Sequence, residues 1–112
     1  MLKGSFDAII ASNLLCRLPS PRKFLRDISS FIKPDGVLVL ISPYSWLEEY
    51  TPKSEWIGGL EDGKDSATEV ETFLLQNSPL KLVHRENIPF LIREHERKYQ
   101  YGVSDCMIWR KK

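Results

Sequence analysis

Phe6-Asp7-Ala8-Ile9-Ile10-Ala11, the segment Pro21 to Lys33, and Val37-Leu38-Val39-Leu40-Ile41 together decide the fold. The first is a short apolar run with one charge near its start, the pattern of a buried parallel strand covered on both faces. In the second, Phe24, Leu25, Ile28, Phe31 and Ile32 recur at offsets of three and four, while Arg22, Lys23, Arg26 and Asp27 fill the remaining surface. This predicts an amphipathic helix, capped by Ser20 and entered through Pro21. Lys33-Pro34-Asp35-Gly36 should end it, because the residue before proline avoids helical angles and Gly36 is free to adopt positive φ. The third run is rich in β-branched residues. Strand, helix and strand with short connections form a right-handed βαβ unit, so the two strands should pair in parallel.

Downstream, residues 42 to 65 hold Pro43, Pro52, Gly58, Gly59 and Gly63 among Tyr44, Trp46, Tyr50 and Trp56. Loops this long in compact domains are usually functional or disordered, and the aromatics here favour function. Ser66 is the expected cap of a second helix ending near Asn77, with Glu69 completing a capping box and Val70, Phe73 and Leu74 facing inward. Leu80 to Glu86 and Tyr99 to Trp109 alternate as strands of a terminal hairpin. The charged stretch Asn87 to Lys98 is their expected connection. The last strand is expected beside Val37 to Ile41.

The chain has 112 residues, less than one domain at roughly 150 residues each, so all of it is expected to form one unit. Hydrophobic residues make up 42% and charged residues 28%, as in a folded soluble protein. The net charge of +1 gives no general attraction to nucleic acid or anionic membrane. Charge is unevenly spread, with +3 over residues 1–42, −6 over 43–72 and +4 over 73–112, and the acidic middle reads as a solvated face. Cys16 and Cys106 fit neither a disulfide framework nor zinc-ligand spacing. The longest apolar run is far below the ~20 residues of a membrane helix, and Met1 to Gly4 lacks the apolar core of a leader, so a cytoplasmic location is expected.

The element order resembles the second half of a class I S-adenosylmethionine-dependent methyltransferase. Four segments narrow the likeness: Ala11-Ser12-Asn13-Leu14-Leu15-Cys16-Arg17-Leu18, Ser42 to Pro52, Ile88 to Glu94, and Arg97-Lys98-Tyr99-Gln100-Tyr101. They resemble the C-terminal domain of ovothiol-biosynthesis enzymes, which methylates a ring nitrogen of 4-mercaptohistidine. The resemblance implies S-adenosylmethionine as cofactor and a thiohistidine-like small molecule as acceptor. It also implies a glycine-rich turn after the first strand and a ribose-binding acidic residue after the second. This sequence contains neither, so the chain should be the C-terminal half of a Rossmann-like α/β methyltransferase domain, and inactive alone.

Asn13 and Leu14 lie just past the first strand, at the sheet edge where open α/β folds take ligands. The resemblance makes them cofactor contacts; the structural alternative for Asn13 is a turn cap. Tyr44, Trp46 and Tyr50 follow the next strand at the same edge, where aromatic walls can stack on an imidazole and exclude water, with packing as the alternative. Arg93 can grip a substrate carboxylate through its fork, with Tyr99 close behind it; an ion pair with Glu94 or Glu96 competes. No catalytic acid, base or metal cluster emerges, and methyl transfer from a sulfonium requires none. The first strand is left with an open edge, to be covered by the missing half or by a second copy as a dimer. The competing class is a non-catalytic interaction or assembly module on the same fold.

Overall fold

In a computed structural model, residues 4–60 and 63–112 are described. Met1 to Lys3, within the stretch read for a leader, and Glu61 and Asp62 of the acidic loop lie outside them. Strand β1 (Phe6–Ser12) is followed by a 3-10 turn at Leu15–Arg17, helix α1 (Pro21–Asp27), a second 3-10 turn at Ile28–Phe31 and strand β2 (Ile32–Ser42). A long loop leads to α2 (Ser66–Asn77), β3 (Leu80–His95) and β4 (Lys98–Lys111). The sheet order is β1-β2-β4-β3, with β1 parallel to β2 and β4 antiparallel to both of its neighbours. The parallel pairing and the insertion of the last strand beside Val37 to Ile41 agree with the sequence reading.

Alternation along the strands divides the sheet into two unlike faces. On one, Leu38, Leu40, Met107 and Trp109 are fully buried against Leu25 and Ile28 of the α1 region and Val70 and Leu74 of α2. The other face carries Ile10, Val39 and Ile108 in register, and no helix is packed on it among the described residues. The expectation of a first strand buried on both sides is therefore corrected. Ile10 is 69% exposed, because β1 is the edge strand and the helical layer covers one face only.

The first helix ends sooner than its periodicity suggests. Ser30 Oγ donates to the Asp27 carbonyl at 2.6 Å, a side-chain bond that competes with continued α-helix. Ile32 already pairs with Phe6. The Lys33-Pro34-Asp35-Gly36 segment is consequently an irregularity inside β2 rather than a separate turn. The positive φ, 66°, falls on Asp35 and not on Gly36. Gly36 is required for space: a Cβ there would lie 2.7 Å from the Lys33 carbonyl oxygen and 3.0 Å from that of Asp7.

Two caps also differ from expectation. Ser20 does precede α1, but its hydroxyl donates to Glu55 Oε1 at 2.8 Å instead of capping. The cap of α2 is Asp65, whose carboxylate accepts from Thr68 N at 3.1 Å and Thr68 Oγ1 at 3.0 Å. A carboxylate facing the positive end of a helix is favoured there, and Ser66 becomes the first helical residue.

The largest correction concerns the hairpin. Residues 87–95 belong to β3, and only Glu96 and Arg97 separate it from β4. Charge does not oppose a ladder made of backbone groups when the side chains stay in water, and Lys98 pairs with Glu94 across the turn at 3.1 Å. β2 leaves the sheet at the Ser42–Asp105 pair, so Lys98–Ser104 and its partner strand continue as a two-stranded arm. At about 3.3 Å per residue the arm extends roughly 23 Å further.

Candidate functional site

The carboxyl ends of β1 and β2 both terminate in left-handed residues, Asn13 with φ 56° and Tyr44 with φ 52°. Asn is among the residue types that visit this region most readily, while for tyrosine it must be imposed by neighbours. Asn13 N–H donates to the Ile41 carbonyl at 2.8 Å, which carries the parallel pairing one residue past the strand. Tyr44 N–H donates to Ser42 Oγ at 3.0 Å.

The Tyr44 ring turns toward the helical side. Its hydroxyl donates to Asp105 Oδ2 at 3.0 Å, and the other oxygen of that carboxylate accepts from Arg85 Nε at 2.9 Å. Asp105 is only 6% exposed, and Arg85 also reaches Glu71 at 3.3 Å. Burial and the Asp105 charge push the Tyr44 phenol well above its ordinary range. The folded chain therefore keeps a proton that the unfolded chain releases above about pH 10, and the contribution of Tyr44 is complete below that pH and lost above it. Wild type should exceed Tyr44→Phe by about 1–2 kcal/mol at pH 9. That margin should shrink at about 1.4 kcal/mol per pH unit beyond pH 10. Urea unfolding of both proteins at pH 9 and 11 checks this, and an unchanged margin contradicts it.

With Tyr44 turned away, its neighbours Pro43 and Ser45 face a cavity of about 400 Å³ beyond the strand ends, within the size range of small-molecule sites. Asn13, Cys16 and Arg17 form one wall. The opposite wall is the projecting arm, through Ile88, Phe90 and Ile92 of β3 and Gln100 and Ser104 of β4. These are the every-second residues of the arm, paired Ile88–Ser104, Phe90–Gly102 and Ile92–Gln100. A Cβ at Gly102 would meet Phe90 Cε1 at 2.7 Å, so this glycine lets the Phe90 ring lie across the facing strand.

The predicted site residues separate into four groups. Asn13 lines the cavity, and Leu14 beside it starts the 3-10 turn, part-exposed. Tyr44 and Trp46 flank the cavity's backbone but point into the helical layer. Their rings lie 6.5 Å apart, Trp46 stacks on Trp56 at 6.3 Å, and Trp46 Nε1 donates to Ser66 Oγ at 2.9 Å. Tyr50 lies beside the site, its ring under the Arg17 guanidinium at 5.1 Å. Arg93 and Tyr99 are cross-strand partners between the cavity-lining positions, hence on the arm's outer face. Neither Glu94 nor Glu96 pairs with Arg93 among the described residues; its Nε donates to the His95 carbonyl at 3.4 Å.

Arg17, Phe90 and Gln100 escaped the sequence reading as site residues. Arg17 was legible as a cation four residues past Asn13. The period-two pattern of Ile88, Phe90 and Ile92 was present too, masked by the charges that follow. Cys16 Sγ lies 3.7 Å from Ser45 Oγ and 3.8 Å from Ser42 Oγ, and both cysteines are free thiols. Burial, then Glu86 and Asp105, raise the Cys106 thiol. Among the described residues, no three His, Cys, Asp or Glu side chains converge as a metal would require. No helix among them is long and apolar enough to cross a membrane.

A family model described as a methyltransferase domain matches residues 2–91. No curated protein sequence matches the chain. Among solved structures, a SAM-dependent methyltransferase from Methanosarcina mazei superposes with TM-score 0.64 at 16% identity, over 97% of this chain and 60% of that one. A structure described for the conversion of a disulfide bond into a thioacetal group in echinomycin biosynthesis gives TM-score 0.63 at 14% identity, over 98% and 50%. The trans-methyltransferase CalH in complex with SAH gives 0.58 at 20% identity, over 98% and 31%. The fold is thus that of part of a Rossmann-like class I methyltransferase, and the chain spans between 31% and 60% of the length of these three proteins.

Proposed function

The chain belongs to the methyltransferase domain family, and from that premise we propose that it supplies the acceptor side of an S-adenosylmethionine-dependent N-methyltransferase. One observation carries this reading. Asn13, the two neighbours of Tyr44 and the inner face of the β3–β4 arm enclose a single cavity at the carboxyl ends of parallel strands, the edge at which open α/β sheets receive ligands.

The residues present fit an acceptor and only part of the donor. Arg17 is the one charged group among the described cavity-lining residues, and none of them is a carboxylate that could hold a ribose or an ammonium group. Asn13 and Leu14 would meet the methionine end of the donor. Its remaining groups would be held by polypeptide pairing with the open edge of β1, either the rest of the domain or a second copy. When bound, the donor supplies a methyl group on a sulfonium. The chain's own part is to orient the acceptor for in-line attack and to exclude water with Ile88, Phe90 and Ile92. By the resemblance of the four segments quoted above, the acceptor is a ring nitrogen of a thiohistidine-like molecule. A non-catalytic interaction module is the second reading, favoured by Leu91 and Tyr101 on the arm's outer face, 65% and 70% exposed.

Calorimetric titration with S-adenosylmethionine tests the proposal. Saturable heat that weakens several-fold in Asn13→Ala is the expected outcome. Absence of saturable heat up to millimolar donor fits either the interaction module or a donor site completed by the polypeptide that pairs with β1, and repeating the titration with that polypeptide present separates the two.

A further inference from the structure

We infer that the cavity selects a small molecule with a flat apolar body ending in one carboxylate, and that Arg17 receives that carboxylate. Seven ion pairs occur among the described residues, and none includes Arg17. Its guanidinium is nevertheless held in place. Nη1 donates to the Ser45 carbonyl at 2.7 Å and the Cys16 carbonyl at 3.1 Å, and the Tyr50 ring supports it at 5.1 Å. Nη2 makes only a 3.4 Å contact with Ser45 Oγ. A hydrogen-bonded planar cation with no carboxylate partner among the described residues, at the rim of a largely apolar cavity, is complementary to a planar anion.

The rest of the wall sets the body of the ligand. Ile88, Phe90 and Ile92 offer apolar surface, and Phe90 lies across Gly102 as a flat platform. Gln100, Ser104 and Asn13 supply neutral hydrogen-bonding groups, fit for ring heteroatoms rather than for a second charge. A phosphate would be poorly matched, since its extra charge would find no second cation among the lining residues. This rests on the acceptor-site reading and narrows it to an acceptor whose one charged group is a carboxylate, in place of a thiohistidine-like molecule with a free ammonium group, and it assigns the carboxylate contact to Arg17.

The test is a calorimetric comparison of indole-3-acetate with its neutral isostere indole-3-acetamide on the unmodified chain, with no donor present. The carboxylate should bind about tenfold tighter, the scale of one hydrogen-bonded charge contact, and the preference should shrink with added salt. Arg17→Gln should abolish the preference, weakening the carboxylate far more than the acetamide. Phe90→Ala should weaken both ligands alike. Thermal melts of each variant establish that it is folded.

Equal affinity for the two ligands, a preference that survives in Arg17→Gln, or no saturable binding of either overturns the inference. Displacement of indole-3-acetate by equimolar inorganic phosphate would also overturn it, by revealing a general anion site. Because no donor is added, failure of S-adenosylmethionine to bind leaves this result standing, and loss of the carboxylate preference leaves donor binding untouched.

Discussion

Trp109→Ala is expected to destabilise the chain by about 3–5 kcal/mol, a large share of the ~5–15 kcal/mol that holds a small domain together. Trp109 is fully buried at the centre of the helical face, in register with Leu38 on β2 and Leu82 on β3. Removing it opens a cavity under both helices. Its indole N–H has no hydrogen-bond partner among the described residues, which makes the aromatic replacement informative. Trp109→Phe keeps most of the volume and removes the unpaired donor, so its cost should stay under about 1.5 kcal/mol. Urea denaturation of the two variants checks the pair. Equal losses would mean that the indole N–H is satisfied and the packing argument wrong.

Asp105→Ala is the second large effect, at about 2–3 kcal/mol, because a buried carboxylate accepts from both Arg85 and Tyr44 and its loss strands both donors. Arg85 is one-third exposed, so water recovers part of its solvation and the figure sits below that of a fully buried pair. The consequence reaches the cavity. Asp105 is what holds the Tyr44 ring on the helical side, and Tyr44 in its left-handed conformation is what turns Pro43 and Ser45 toward the ligand space. Asp105→Ala should therefore weaken indole-3-acetate binding as well as the fold, whereas Trp109→Phe should weaken neither appreciably. Asp105→Asn, which keeps an acceptor for the phenol, should fall between them.

Where sequence reading succeeded, it relied on patterns with one physical interpretation. Two β-branched apolar runs joined by an amphipathic helix can hardly be anything but a parallel βαβ unit. It failed where two forces compete for the same residues. Gly36 is needed, but because a Cβ there would crowd the carbonyl oxygens of Lys33 and Asp7, a reason no local pattern reveals. The β1 residues are apolar enough for a buried strand, and only the layer structure shows Ile10 facing outward. At the site, the sheet edge and Asn13 were legible because strand ends follow from periodicity. The direction of each side chain was not. Tyr44 and Trp46 lie at the predicted position in the chain, but hydrogen bonds to Asp105 and Ser66, distant in sequence, draw both rings into the core. Arg17 joins the cavity through backbone carbonyls of Cys16 and Ser45, and the latter is brought near only by the pairing of β1 with β2.

In the proposed function, the strand ends and the β3–β4 arm together enclose one ligand site. Amide chemical-shift mapping of the nitrogen-15-labelled chain during titration with indole-3-acetate tests it most directly. The predicted result is saturable shifts confined to Asn13, Arg17, Ser45 and the inner arm positions around Phe90 and Gln100. Shifts centred on α1 and α2, or a spectrum that stays unchanged at millimolar ligand, would contradict it.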